Sequence, residues 1–152
     1  GSTRAKFLNK KKKNNMFEPK KTKHRKSHKG RSRKRMVETR GLTLSFGSFG
    51  LQARSAAWVT GKQIESVRKT ISHALKRGGK TWIRIFPDKP ITKLPPEVTL
   101  GGGKGAVDSY VVPVKPGRIL FEIDGIPREE AIKALRNASF KLPVRTKIIE
   151  KK

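Results

Sequence analysis

The forty residues at the N-terminal end hold 17 Lys or Arg against two Glu, a local net charge of +15. Charge of one sign at that density cannot be packed into a core. The segment repels itself and has too little apolar area to offset the entropy of ordering, so alone it is expected to be disordered. Folding is thereby confined to residues 41–152, which at about 110 residues suffice for one modest core. That part carries 21 Lys or Arg against nine acids, within a formal charge of +27 for the 152-residue chain. Extension and domain are both basic, and both therefore call for a polyanion. Charge alone reads as an RNA- or DNA-binding protein whose partner neutralises the tail.

The extension divides at Met16-Phe17-Glu18-Pro19. Before it lies a lysine tract, Lys10-Lys11-Lys12-Lys13, without the apolar stretch of a secretory signal and without an evident amphipathic transit-peptide helix. After it, Lys20, Lys21, Lys23, Arg25, Lys26, Lys29, Arg31 and Arg33 are mixed with His and hydroxyl residues. Arg offers a planar fork and Lys a mobile point charge, a mixture suited to RNA with varied phosphate spacings. A solvated solubility tail or a localisation patch is the plainer alternative. The chain has no cysteine, which removes disulfides and leaves zinc sites short of ligands. No apolar run approaches the roughly 18 residues of a membrane-spanning helix.

In the domain, Leu42, Leu44 and Phe46 alternate with polar residues, the pattern of a short half-buried strand, and Gly47–Leu51 reads as a turn. Thr60 and Gln63 form a capping box before a helix expected to bury Ile64, Val67, Ile71, Ala74 and Leu75 and to stop at Gly78-Gly79. A strand is expected over Trp82–Phe86, closed by Pro87 and Pro90, with further strands at Glu97–Leu100, Val107–Val114 and Arg118–Ile123. The last two are joined by a hairpin-like Lys115-Pro116-Gly117. Pro127 suits a first helical position, with Glu129 and Glu130 favouring the helix dipole and Ala131, Ala134, Leu135 and Ala138 forming the apolar stripe. A final strand follows over Val144–Ile149. Two helices separated by a cluster of strands predict a compact α+β domain on mixed or antiparallel strands.

Three constellations invite an enzymatic reading. Gly101, Gly102, Gly103, Lys104 and Gly105 make a glycine-rich loop, but a strand pattern follows it where a nucleotide-cradling loop needs a helix, and the Lys-Ser/Thr pair is missing. What remains is a backbone without bulk that can approach RNA, with a cation at its tip; a passive hairpin insert is the alternative. Glu122 and Asp124 share a strand face and can be imagined holding nuclease cations, although surface pairing with the abundant cations is simpler. His24, His28 and His73 lack acidic co-ligands at suitable spacing, so neither a metal nor a cofactor is expected. Trp58, Trp82, Phe46, Phe49 and Phe86 can stack bases, though strand aromatics are more often core. A DNA-compacting protein remains open on composition.

Several strings together carry a resemblance. They are Pro19-Lys20-Lys21-Thr22-Lys23-His24-Arg25-Lys26, Lys29-Gly30-Arg31, Leu44-Ser45-Phe46-Gly47-Ser48-Phe49-Gly50-Leu51 and Gln63-Ile64-Glu65. The longest is Gly79-Lys80-Thr81-Trp82-Ile83-Arg84-Ile85-Phe86-Pro87-Asp88-Lys89-Pro90-Ile91-Thr92, followed by Gly103-Lys104-Gly105, Phe121-Glu122-Ile123-Asp124-Gly125, Lys141-Leu142-Pro143 and Lys147. In these the chain closely resembles the uL16 family (bacterial-type L16) of large-subunit ribosomal proteins, over about residues 16–150.

The resemblance implies a compact α+β domain with a basic extension threaded into rRNA, and a structural component without catalytic activity. It implies binding near the base of the central protuberance and the A-site tRNA corridor, with roles in late subunit maturation and in positioning A-site tRNA. Neighbouring large-subunit proteins would be its other partners, the chain being a single copy in the ribosome of a bacterium or a bacterium-derived organelle, with no membrane involved. By the same carry-over Lys20, Lys21, Lys23, Arg25, Lys26, Lys29, Arg31 and Arg33, with Arg84 and Lys89 from the domain, would contact rRNA, and Gly101–Gly105 would approach tRNA. Two departures stand out. The family commonly has Arg-Met-Gly-Lys-Gly-Lys-Gly where this chain has Thr99-Leu100-Gly101-Gly102-Gly103-Lys104-Gly105, so an arginine hydroxylated in some members is absent and one loop lysine is missing. Residues 1–15 also exceed the usual bacterial start.

Overall fold

The computed structural model describes residues 17–19, 26, 38, 41–75, 78–93 and 104–151. Its elements run β1 (Phe49–Ala53), β2 (Ala57–Thr60), α1 (Gly61–Leu75), β3 (Lys80–Ile83), β4 (Lys89–Lys93), β5 (Ala106–Val114), β6 (Ile119–Asp124), α2 (Arg128–Ser139) and β7 (Thr146–Glu150). Four strands pair in the order β3-β6-β1-β7 and three in the order β2-β5-β4. All the pairings are antiparallel. This is the expected α+β class, in its antiparallel form.

The helices form for the reasons read from sequence. The Thr60 amide donates to Gln63 Oε1 at 2.9 Å and the Gln63 amide to Thr60 Oγ1 at 3.3 Å, so the capping box closes both ways. Ile64, Val67, Ile71 and Leu75 are buried along one stripe. Ala74 is exposed instead of buried; it flanks that stripe beside a shallow depression shared with Lys69, His73 and Asn137. In α2 the stripe of Ala131, Ala134, Leu135 and Ala138 is buried as expected. Pro127 stands one position before the helix, its carbonyl accepting from Ala131 at 2.9 Å. The helices pack on each other, α1 also touching β2 and β3 and α2 touching β1 and β7. Leu51, Phe121 and Ile123 meet both helices' stripes in one core that extends to Val59, Ile85 and Val114.

Several strand expectations are corrected. Leu42–Phe46 is a series of bends, and the strand lies instead at Phe49–Ala53, where a turn was expected. The 45–47 amides are engaged by a side chain from β6, described below, and so are unavailable to a ladder. β3 stops at Ile83 rather than Phe86, and Pro90 belongs to β4 instead of closing the preceding strand. The last strand begins at Thr146, because the amide of Arg145 is taken by Ser55 Oγ at 2.8 Å. Lys115-Pro116-Gly117 is not a hairpin either: it carries the chain from β5 in one sheet to β6 in the other. Gly117 has φ of 99°, a left-handed turn residue, and its amide donates to Ala53 at 2.8 Å. The candidate strand Glu97–Leu100 lies outside the described residues.

Candidate nucleic-acid interface

Antiparallel register places Gly50 opposite both Glu122 and Ile149, and Trp82 opposite Glu122. Directly opposed residues project to the same side, so this row lies on the sheet face turned away from the helices. Segment 44–47 covers part of it. The amides of Ser45, Phe46 and Gly47 donate to Glu122 Oε1 at 2.7, 3.0 and 3.2 Å. Glu122 Oε2 accepts from the Arg84 guanidinium in a partly buried ion pair. The Glu122 carboxylate is fully buried. Burial pushes its pKa up, but Arg84 and the amides of Phe46, Gly47 and Ser45 together outweigh burial and hold it below the usual carboxylate range. Glycine is required at 47: a Cβ there would stand 2.6 Å from the Ile123 carbonyl oxygen.

This arrangement corrects the reading of Glu122 as a surface-paired carboxylate. Asp124 does follow on the same strand, but its Oδ1 accepts from Ser48 Oγ at 3.0 Å and from the Gly125 amide at 2.8 Å. Both carboxylates thus serve the backbone, and among the described residues no group of three His, Cys, Asp or Glu could hold a metal. The clue available in the sequence was a lone acid inside the apolar run Ile119–Ile123, because a buried charge requires dedicated partners.

Above Glu122 sits an aromatic cluster. The Phe46 ring stacks beside Trp82, centroids 6.0 Å apart and planes 18° from parallel. The Arg84 guanidinium lies 5.4 Å from the Phe46 centroid. Phe46 is nonetheless 57% exposed. Arg84 also lines an open cleft of about 650 Å³ together with Phe86 and Arg118, but with Glu38 and Asp88 as well, so its charge is mixed.

The remaining sequence-derived positions fall in two groups. Lys89 shares a face of the three-stranded sheet with Trp58, and its ammonium lies 5.1 Å from that ring's centroid. Lys104 and Gly105 immediately precede β5, whose ladder with β4 closes with Lys93 opposite Ala106. Lys26 from the extension donates to the Lys104 carbonyl at 3.0 Å. Phe17 packs, half-buried, against the core near Gly61. Lys20, Lys21, Lys23, Arg25, Lys29, Arg31, Arg33, Gly101, Gly102 and Gly103 lie outside the described residues.

The sequence profile of the family described as Ribosomal protein L16p/L10e matches residues 19–149. The chain belongs to this family. Among its relatives, large ribosomal subunit protein uL16c of Porphyra purpurea is 50% identical over 134 residues, covering 88% of this chain and 95% of the relative. The uL16c of Guillardia theta is 51% identical over 136 residues, covering 90% of this chain and all of the relative. The uL16 of Azobacteroides pseudotrichonymphae genomovar. CFP2 is 54% identical, covering 88% and 92%. The family resemblance read from the motifs therefore holds over the full domain. Its members are structural, non-enzymatic components of the ribosome, and this chain is accordingly a structural constituent of the large subunit. Relatives of both expected origins, bacterial and organellar, are represented.

Proposed function

We propose that this chain is anchored by direct contact with large-subunit rRNA, supports late subunit assembly beside neighbouring ribosomal proteins, and helps position A-site tRNA. The basic extension (Lys20 to Arg33), Arg84 and Lys89 act on rRNA, and the Gly101–Gly105 loop acts toward tRNA. The observation that carries this reading is the bond from Lys26 to the Lys104 carbonyl, which joins the extension to the glycine-rich loop. Two lysines 78 positions apart are thereby brought side by side, in a chain of charge +27. A phosphate surface neutralises such a group with counterion release, so affinity should fall steeply as salt rises.

The experiment is a sucrose gradient of cell lysate combined with subunits reconstituted from wild-type or Lys104→Ala protein. Co-migration with the large subunit and salt-dependent binding to purified rRNA are expected; recovery only with chromosomal DNA would overturn the reading. Lys104→Ala should leave assembly nearly intact while weakening A-site tRNA binding, because the side chain is exposed. Equal tRNA affinity in both subunits would remove the tRNA role and leave the scaffold role standing.

A further inference from the structure

We infer that Phe46, Trp82 and Arg84 form a preorganised stacking platform for one unpaired nucleobase of RNA. The inference rests on the rRNA-binding reading and adds a site to it.

Phe46 is more than half exposed, yet the segment bearing it is anchored from below. Three consecutive amides, those of Ser45, Phe46 and Gly47, converge on one carboxylate oxygen. That carboxylate is buried and held charged by Arg84. Gly47 lies so close to Ile123 that no side chain fits. A buried charge is a costly way to anchor a loop, and single exposed apolar residues need no such support. What the anchoring achieves is a ring at a fixed height and tilt, backed by Trp82 at 18° from parallel.

The chemistry of the cluster selects the occupant. A π face next to a guanidinium attracts a flat, electron-rich ring through stacking and cation–π interaction. Every nucleobase offers such a face, and its phosphate is attracted by the chain's net charge of +27. An aliphatic protein side chain would use only the apolar area and gain nothing from the π face. In a fully paired helix the bases are stacked on each other, so the platform addresses a bulged, looped or single-stranded residue. Trp82, held in β3, sets the orientation of Phe46 and is a positioning residue.

The test uses the full chain and two probes of equal length: a single-stranded RNA oligonucleotide and a blunt RNA duplex. Binding is measured at several salt concentrations for wild type, Phe46→Leu and Phe46→Tyr, so that the contribution of the extension is common to all three. Phe46→Leu retains bulk but loses the π face. It should bind the single strand about 10-fold or more weakly, with duplex affinity and the salt slope unchanged, and Phe46→Tyr should restore single-strand binding. Thermal unfolding of each variant identifies any loss due to misfolding, and Phe46→Tyr supplies the answer if Phe46→Leu is unstable. Single-strand affinity equal to wild type in Phe46→Leu, or equal losses on both probes, would overturn the platform while leaving rRNA binding intact. Failure of the wild type to bind either RNA would instead defeat the underlying reading.

Discussion

Glu122 concentrates the energetics of the domain in one side chain. Its two oxygens serve three amides and a guanidinium in a site without water access. Replacing it by Gln keeps the shape but turns an amide N–H₂ toward donors and leaves Arg84 unmatched. Glu122→Gln should therefore destabilise the fold by about 3–5 kcal/mol, read from urea denaturation at neutral pH. The pH dependence follows from the direction of its shift. A carboxyl whose pKa is lower in the folded state contributes stability that is complete above the unfolded value. That contribution is lost as pH falls through the folded value. Wild-type stability should thus decline from about pH 4.3 downward, and Glu122→Gln should lack this portion of the decline. Gly47→Ala tests the same anchor from the backbone side. With the Ile123 carbonyl 2.6 Å from the new Cβ, it should cost about 1–3 kcal/mol by the same measurement.

At the scale of elements, local chemistry and long-range pairing divide the work. The start of α1 is decided within four residues by Thr60 and Gln63, and Thr60→Ala should lower stability by about 1 kcal/mol without altering the sheet. Urea denaturation supplies the number, and unchanged chemical shifts in β1 and β6 the control. α2 was equally legible, since a proline, two early acids and an alanine stripe act over one helix length. The strands were less so. Leu42–Phe46 and Phe49–Ala53 both have apolar residues at alternate positions, and periodicity cannot rank them. The choice was made by a residue some 76 positions away, Glu122, which takes the amides of the first segment and leaves the second free to pair with β6 and β7. The turn at Lys115-Pro116-Gly117 shows the same limit. Its residues encode a reversal, but which sheet the chain joins afterward depends on partners outside the turn.

For the whole molecule, charge sets function and a small core sets form. The extension contributes +15 of the +27, so removing residues 1–40 should reduce both rRNA affinity and the slope of its salt dependence, measured by titration at increasing salt. The same truncation removes Phe17 from its place against Gly61 and the core. A chain lacking only residues 1–15 should accordingly melt at a higher temperature than one lacking residues 1–40, with helix content equal in both by circular dichroism.

The sequence by itself determined the quantities that are sums or short-range: net charge, the absence of cysteine ligands, both helices with their buried stripes, and family membership through strings such as Gly79 to Thr92. These depend on composition or on contacts within a few residues. Only the tertiary structure decided that Glu122 is a buried anchor, that β5 and β6 belong to different sheets, and that Phe46 stands exposed beside Trp82 and Arg84. The contacts of Glu122 and Phe46 join residues between 36 and 77 positions apart, roughly the span over which the chain must close before such partners meet. A buried carboxylate and an exposed ring acquire their roles from what is packed around them, and packing is the property that a linear string of residues does not carry.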